Sequence, residues 1–184
     1  MRGKPNTFIS SEYALLGLLY QNPSHGYELH KQISDPEGIG LIWRIKMSNL
    51  YALLDKLEQK GYISGIIQPG DSHPNRTEFN ITDDGKTAFR SWLETTVKHP
   101  RDFRQEFMVR LYYVLRLQPT KINDLCQKQL QECNSWLENT QASNQQVDEK
   151  SMYKKSIIEF RVAQIRAIIH WLEATQRRFA ASSD

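Results

Sequence analysis

Leu50, Leu53, Leu54 and Leu57 recur at i, i+3, i+4 and i+7 within "KMSNLYALLDKLEQKGYI", residues 46–63. That spacing gathers four leucines into one stripe along an α-helix. At 100° per residue the opposite face carries Ser48, Ala52, Asp55 and Gln59, flanked by Asn49 and Lys56. Gly61 ends the helix. Upstream, "SSEYALLGLLYQNP" predicts a helix capped by Ser10 or Ser11, apolar from Tyr13 to Leu19 and closed before Pro23. Ser24 is a candidate cap for a second helix, "HGYELHKQIS", with Tyr27 and Ile33 bracketing its inward face. "DPEGIG" reads as a loop, and "LIWRI" as a short extended stretch with Leu41, Trp43 and Ile45 alternating.

Downstream, "YISGIIQ" and "TEFNIT" read as two strands around the turn-forming "PGDSHPNR". Thr82 then caps a helix, "DDGKTAFRSWLETTV", with acids in its first turn. After "KHPRD", Phe103, Phe107, Leu111, Val114 and Leu117 continue at helical spacing. Pro119 suits the first turn of a longer helix reaching about residue 146, and the polar "NTQASNQQVDEKS" holds a bend. The last helix carries Ile158, Val162, Ile165, Ile169, Leu172 and Phe179, spaced 4, 3, 4, 3 and 7. This is a heptad seam, which packs within one chain or against a second copy. Pairing of two chains through these six residues is the expectation, because three helices beside a small domain bury the seam more fully that way.

Three helices followed by a hairpin is the order of a winged helix-turn-helix. The expected class is therefore mainly α with a small β-hairpin wing. A DNA-binding domain would span residues 1–100 and a helical dimerisation domain 101–184. The third helix, about 46–60, would enter the major groove of double-stranded DNA, with the wing, about 62–81, on the backbone or minor groove. Groove entry needs an apolar back and short polar donors at the N-terminal tip. Ser48, Asn49 and Tyr51 supply the tip, Arg44 and Lys46 precede it, and the first acid, Asp55, comes two turns in. Asn49 can read adenine through two hydrogen bonds, and Ser48 serves a base, a phosphate or simply the helix cap. Lys56 is a phosphate candidate or plain solvated surface. His73, Asn75, Arg76 and Thr77 equip the wing.

Composition adds little to this picture but excludes alternatives. The 184 residues are 39% hydrophobic and 24% charged, with mean hydropathy −0.61. No run approaches the ~18 apolar residues of a membrane span, and "YALLGLLY" reads as a core helix rather than a leader. Net charge is only +3; residues 1–100 hold 11 basic and 11 acidic side chains, the remainder 13 and 10. Charge placement, not its sum, must carry any nucleic-acid reading. Cys126 and Cys133 lie two helical turns apart, too far to bridge, and suit a reducing cytoplasm. The five histidines show no metal-ligand spacing, and no nucleophile elbow or phosphate loop occurs, so no metal, cofactor or enzymatic activity is expected. Trp92, Tyr112, Tyr113, Trp136, His170 and Trp171 either line a site for a small aromatic effector that releases DNA or form core and interface. A helical interaction module without DNA binding explains the seam, but not the polar tip.

"ALLGLLYQNPSHGYEL", "SNLYALLDKLEQKGYI" and "ITDDGKTAF" together resemble the PadR family of winged-helix transcriptional regulators, over roughly residues 12–92. The resemblance implies a recognition tip at Ser48, Asn49 and Tyr51 and a wing at Asn75, Arg76 and Thr77. Asn49 departs from the Thr or Ser common there, which implies a different operator preference. The long C-terminal region is similar to that of the larger PadR subclass, with AphA-type activators and phenolic-acid-responsive repressors. That subclass implies a homodimer built from the C-terminal helices, and hence a palindromic operator with half-sites about one turn apart.

Overall fold

The computed structural model describes residues 7–42, 44–69, 76–145 and 151–180. Helix α1 (Thr7–Gln21) leads to a two-residue strand β1 (Ser24–His25), then α2 (Gly26–Ile33) and α3 (Met47–Gln59). Strands β2 (Ile63–Gln68) and β3 (Arg76–Ile81) form the hairpin, followed by α4 (Asp83–Leu93), α5 (Phe103–Leu117), α6 (Ile122–Gln145) and α7 (Met152–Ala180). The helices and hairpin expected from the sequence are therefore present. Two compact units divide the chain: Met1–Thr95 with Arg104–Tyr113, and Thr96–Phe103 with Val114–Asp184. Helix α5 is shared between them, so neither unit is a single run of chain.

In the first unit α1 packs on α2, α3 and α4, and Leu15, Leu16 and Leu19 of α1, Leu29 and Ile33 of α2, the leucine stripe of α3 and Phe89 of α4 are all buried. Each such side chain contributes about 2 kcal/mol relative to exposure. Arg110 of α5 is buried as well. Its Nε donates to Trp92 O at 3.1 Å, and its Nη2 donates to Thr95 Oγ1 at 3.0 Å and Glu106 Oε1 at 2.6 Å. Burial lowers its pKa, opposed by Glu106. In the second unit α6 and α7 pack against each other. Cys126 and Cys133 are buried free thiols, pushed up to about 11 by desolvation.

Several local expectations are corrected. Helix α1 begins at Thr7, so Ser10 and Ser11 lie inside it rather than at its cap; no Gly or Pro interrupts the chain between Thr7 and Gly17. Ser24 does not cap α2. It pairs with Phe79 as part of β1, and His25 takes the cap position without a capping bond. The inward stripe of α2 is Gly26, Leu29 and Ile33, which turns Tyr27 out to 65% exposure. The first two residues of "LIWRI" are not extended: Leu41 closes the 3-10 turn Ile39–Leu41 and Ile42 caps it, with Ile39 buried and Leu41 at 76% exposure. Successive tight backbone bonds, Gly38 to Asp35 O, Leu41 to Gly38 O and Ile42 to Ile39 O, fold that segment on itself. Trp43 lies outside the described residues. Helix α6 continues through Gln145 and α7 begins at Met152, so the break between the two helices falls within "NTQASNQQVDEKS", towards its end, as expected.

The sheet has three strands in the order β1-β3-β2, all antiparallel. Ile63 opposes Ile81 and Gln68 opposes Arg76, so the hairpin arms match residue for residue. Gly61 links α3 to β2 at φ +71°, a left-handed conformation that favours glycine. Thr82 locks the next junction, its hydroxyl donating to Gly61 O at 2.7 Å and accepting from Gly85 N at 3.1 Å.

Candidate nucleic-acid interface

Helix α3 is held from behind at two levels. Leu50, Leu53, Leu54 and Leu57 are buried, as their spacing predicts. Below them, Glu12 of α1 is 4% exposed and faces two ammonium groups of α3 and its C-cap. Lys60 Nζ lies 2.5 Å from its Oε2, and Lys56 pairs with its Oε1. A buried carboxylate is costly without such partners. The charge of Lys56 is thus engaged inside the unit. At the C-terminal end, Glu58 Oε1 accepts from Gly65 N at 2.7 Å, which fixes the entry to the hairpin.

The other end of α3 is bare. Lys46 is the N-cap at φ −77°, ψ 149°, its carbonyl accepting from Asn49 N and Leu50 N while its side chain makes no cap. Ser48 stands in the first turn and is not the cap. Ser48 and Asn49 are exposed or nearly so, together with Arg44 and Lys46. Among the described residues, Arg44, Lys46 and Arg76 make no ion pair and no side-chain hydrogen bond. First-turn amides lack intrahelical acceptors, and the positive end of the helix dipole favours an anion there.

Three elements meet beside this tip. His25 Nδ1 donates to Thr77 O at 3.1 Å, joining the start of α2 to the wing strand β3. The Tyr51 ring lies across Gly26 so closely that a Cβ there would fall 2.7 Å from its hydroxyl oxygen. His30 Nε2 donates to Ile45 O at 3.0 Å and anchors the segment leading into α3. Arg76 is exposed, Thr77 half-buried, and Tyr51 45% exposed. Arg44, Lys46, Ser48, Asn49, Tyr51, Arg76 and Thr77 therefore belong to one set of fixed elements. His73 and Asn75 lie outside the described residues.

Sequence reasoning missed Tyr27, exposed in the first turn of α2, and Ile66 and Ile67, exposed on the edge strand β2. The 26-29-33 stripe held the signal for Tyr27; the adjacent isoleucines held none, since neighbouring strand residues face opposite ways. The aromatics considered for an effector are packed in their own units. Trp92 stacks on Tyr13 at 4.7 Å, and Tyr113 donates to Ala14 O and meets Tyr112 edge-on. In the second unit Trp136 is buried, Trp171 sits edge-on to Phe103, and His170 is exposed. Along the α7 seam, Ile165 and Leu172 are buried within one chain, while Ile158, Val162, Ile169 and Phe179 are half-buried. Tyr153, Ile157 and Phe160 form a second apolar stripe that is exposed.

Residues 15–91 match the model of the transcriptional regulator PadR-like family, and residues 103–179 match one described as virulence activator alpha C-term. The chain is 30% identical over 132 residues to the negative transcriptional regulator PadR of Bacillus subtilis (strain 168), spanning 72% of this chain and 71% of that protein. It is also similar to the crystal structure of B. subtilis PadR in complex with operator DNA, with 23% identity, TM-score 0.46, and coverage of 92% and 98%. A transcriptional regulator from Clostridium thermocellum aligns at 30% identity and TM-score 0.39, covering 44% of this chain and 75% of that one.

Proposed function

The chain belongs to the PadR-like family of transcriptional regulators, and we propose that it works by sequence-specific binding of double-stranded DNA as a homodimer. The observation that carries this is the contrast within α3: its polar, uncapped first turn is exposed beside unpaired Arg44 and Lys46, and Arg76 on β3 is exposed and unpaired as well. Ser48, Asn49 and Tyr51 read the major groove. Arg44 and Lys46 meet phosphates, while Arg76 and Thr77, with His73 and Asn75, equip the wing. Lys56 leaves this group and serves as a positioning cation for α3, because Glu12 holds it. The C-terminal match supports the subclass with long terminal helices. A cytoplasmic location suits a DNA-binding regulator, and no described helix is long and apolar enough to cross a membrane.

Dimerisation runs through α7. Since Ile165 and Leu172 are already buried within one chain, the second copy covers the half-buried Ile158, Val162, Ile169 and Phe179 and the exposed Tyr153-Ile157-Phe160 stripe. Sedimentation at low micromolar concentration should give about twice 21.5 kDa. The variant Phe160→Glu should shift that species towards the monomer; a monomeric wild type contradicts the dimer. For DNA, mobility-shift titrations with duplexes from the chain's own promoter should show saturable binding. Asn49→Ala combined with Arg76→Ala should cost specific affinity by about 1–3 kcal/mol or more, with little change in melting temperature. Unchanged specific affinity would reject the assigned contacts.

A further inference from the structure

In the second unit, the turn before α5 and neighbouring stretches of α6 and α7 border a half-open cleft of about 270 Å³. Its polar wall comes from His99 and Arg101 on the turn, Thr140 on α6, and Arg161 and Gln164 on α7, with Ile165 beside them. These lining residues include no carboxylate and no aromatic side chain other than the His99 imidazole.

The donors in this wall are largely unused by the fold. Two lysines of the unit are matched, Lys98 to Glu132 at 2.8 Å and Lys128 to Asp124 at 2.9 Å. By contrast, the side chains of His99, Arg161 and Gln164 make no hydrogen bond or ion pair among the described residues. Arg101 has only Asp102, whose Oδ2 lies 3.7 Å from its Nε, beyond hydrogen-bond reach. Two guanidinium groups, an imidazole and an amide therefore line one space, beside a Thr140 hydroxyl that already donates to Trp136 O at 2.7 Å. Planar guanidinium groups match the paired oxygens of phosphate and carboxylate, and charge-assisted bonds of this type are the strong ones.

Size and lining narrow the ligand. The volume falls below the roughly 300 Å³ at which pockets for drug-sized molecules begin. The wall offers no Phe, Tyr or Trp ring on which a flat aromatic acid could stack. We infer that this cleft binds a small, multiply charged oxyanion group, carried either by a phosphoryl compound or by a compact polycarboxylate. None of its residues belongs to α3 or the wing, so the inference stands independently of the DNA-binding reading.

Calorimetric titration of the full-length protein with inorganic phosphate and with citrate, each against sodium chloride at matched ionic strength, tests it. Saturable binding of one ion per chain is expected from at least one of the two. Preference for phosphate identifies the phosphoryl class, and preference for citrate the carboxylate class. Arg161→Gln and, separately, Arg101→Gln should weaken binding about tenfold, while Arg166→Gln, on the same helix but outside the cleft, should not. Both substituted side chains are exposed, and an unchanged melting temperature without ligand verifies folding. The inference is overturned by the absence of saturable heat with both ions, or by an equal response to chloride. Undiminished binding in the Arg161 and Arg101 variants, or tighter binding of benzoate at the same residues, also overturns it.

Discussion

Lys46 and Lys56 stand ten residues apart on one helix, both with solvent-reaching stems and both beside the DNA-reading face proposed above. At the upper end, Lys46 and Arg44 have no partner among the described residues. At the lower end, Lys56 and Lys60 close on the buried Glu12. The difference comes from what lies beneath each end. The lower turns pass over α1, where a carboxylate 4% exposed needs cations. In the first turn Leu50 alone is buried, and Gly26 at the start of α2 lies against the Tyr51 ring just below it. One helix thus carries two kinds of lysine, one fixing the reader and one left for a phosphate.

The largest expected effect comes from removing what both ends share. Leu54 is fully buried, and Leu54→Ala should destabilise the protein by about 3 kcal/mol in denaturant titrations, with DNA affinity falling only as folded protein is lost. A loss of affinity at full stability would move Leu54 from core to interface. Glu12→Gln should cost about 1–2 kcal/mol, since two half-exposed ammonium groups lose their partner but keep water. If stability were unchanged, the pairing would not be what fixes the lower end.

Much of this comparison could be read in the sequence, because its signals are local. The leucine stripe, the Gly61 stop and the Thr82 cap each rest on residues within two turns of one another. What sequence could not give is pairing across distance. Glu12 meets Lys60 over 48 positions, and nothing near either residue marks the match, so Lys56 read equally well as phosphate contact or solvated surface. Strand β1 is two residues long and exists only because β3 passes beside it, which is why Ser24 looks like a cap in the sequence. Tyr27 is a different failure. The helical period places it outward, but a bulky aromatic beside a glycine invites an inward reading. The same limit holds for α7, where the heptad seam is visible but not that Ile165 and Leu172 are already buried within one chain.

The most direct measurement is the salt dependence of operator binding in Lys46→Gln and Lys56→Gln. Removing one phosphate interaction lowers the slope of log K against log salt by about one. The predicted result is a slope reduced by about one for Lys46→Gln and a wild-type slope for Lys56→Gln, whose effect emerges instead as a small drop in stability. Equal slopes in the two variants, or a reduction confined to Lys56→Gln, would contradict the division of α3 into a fixed end and a reading end.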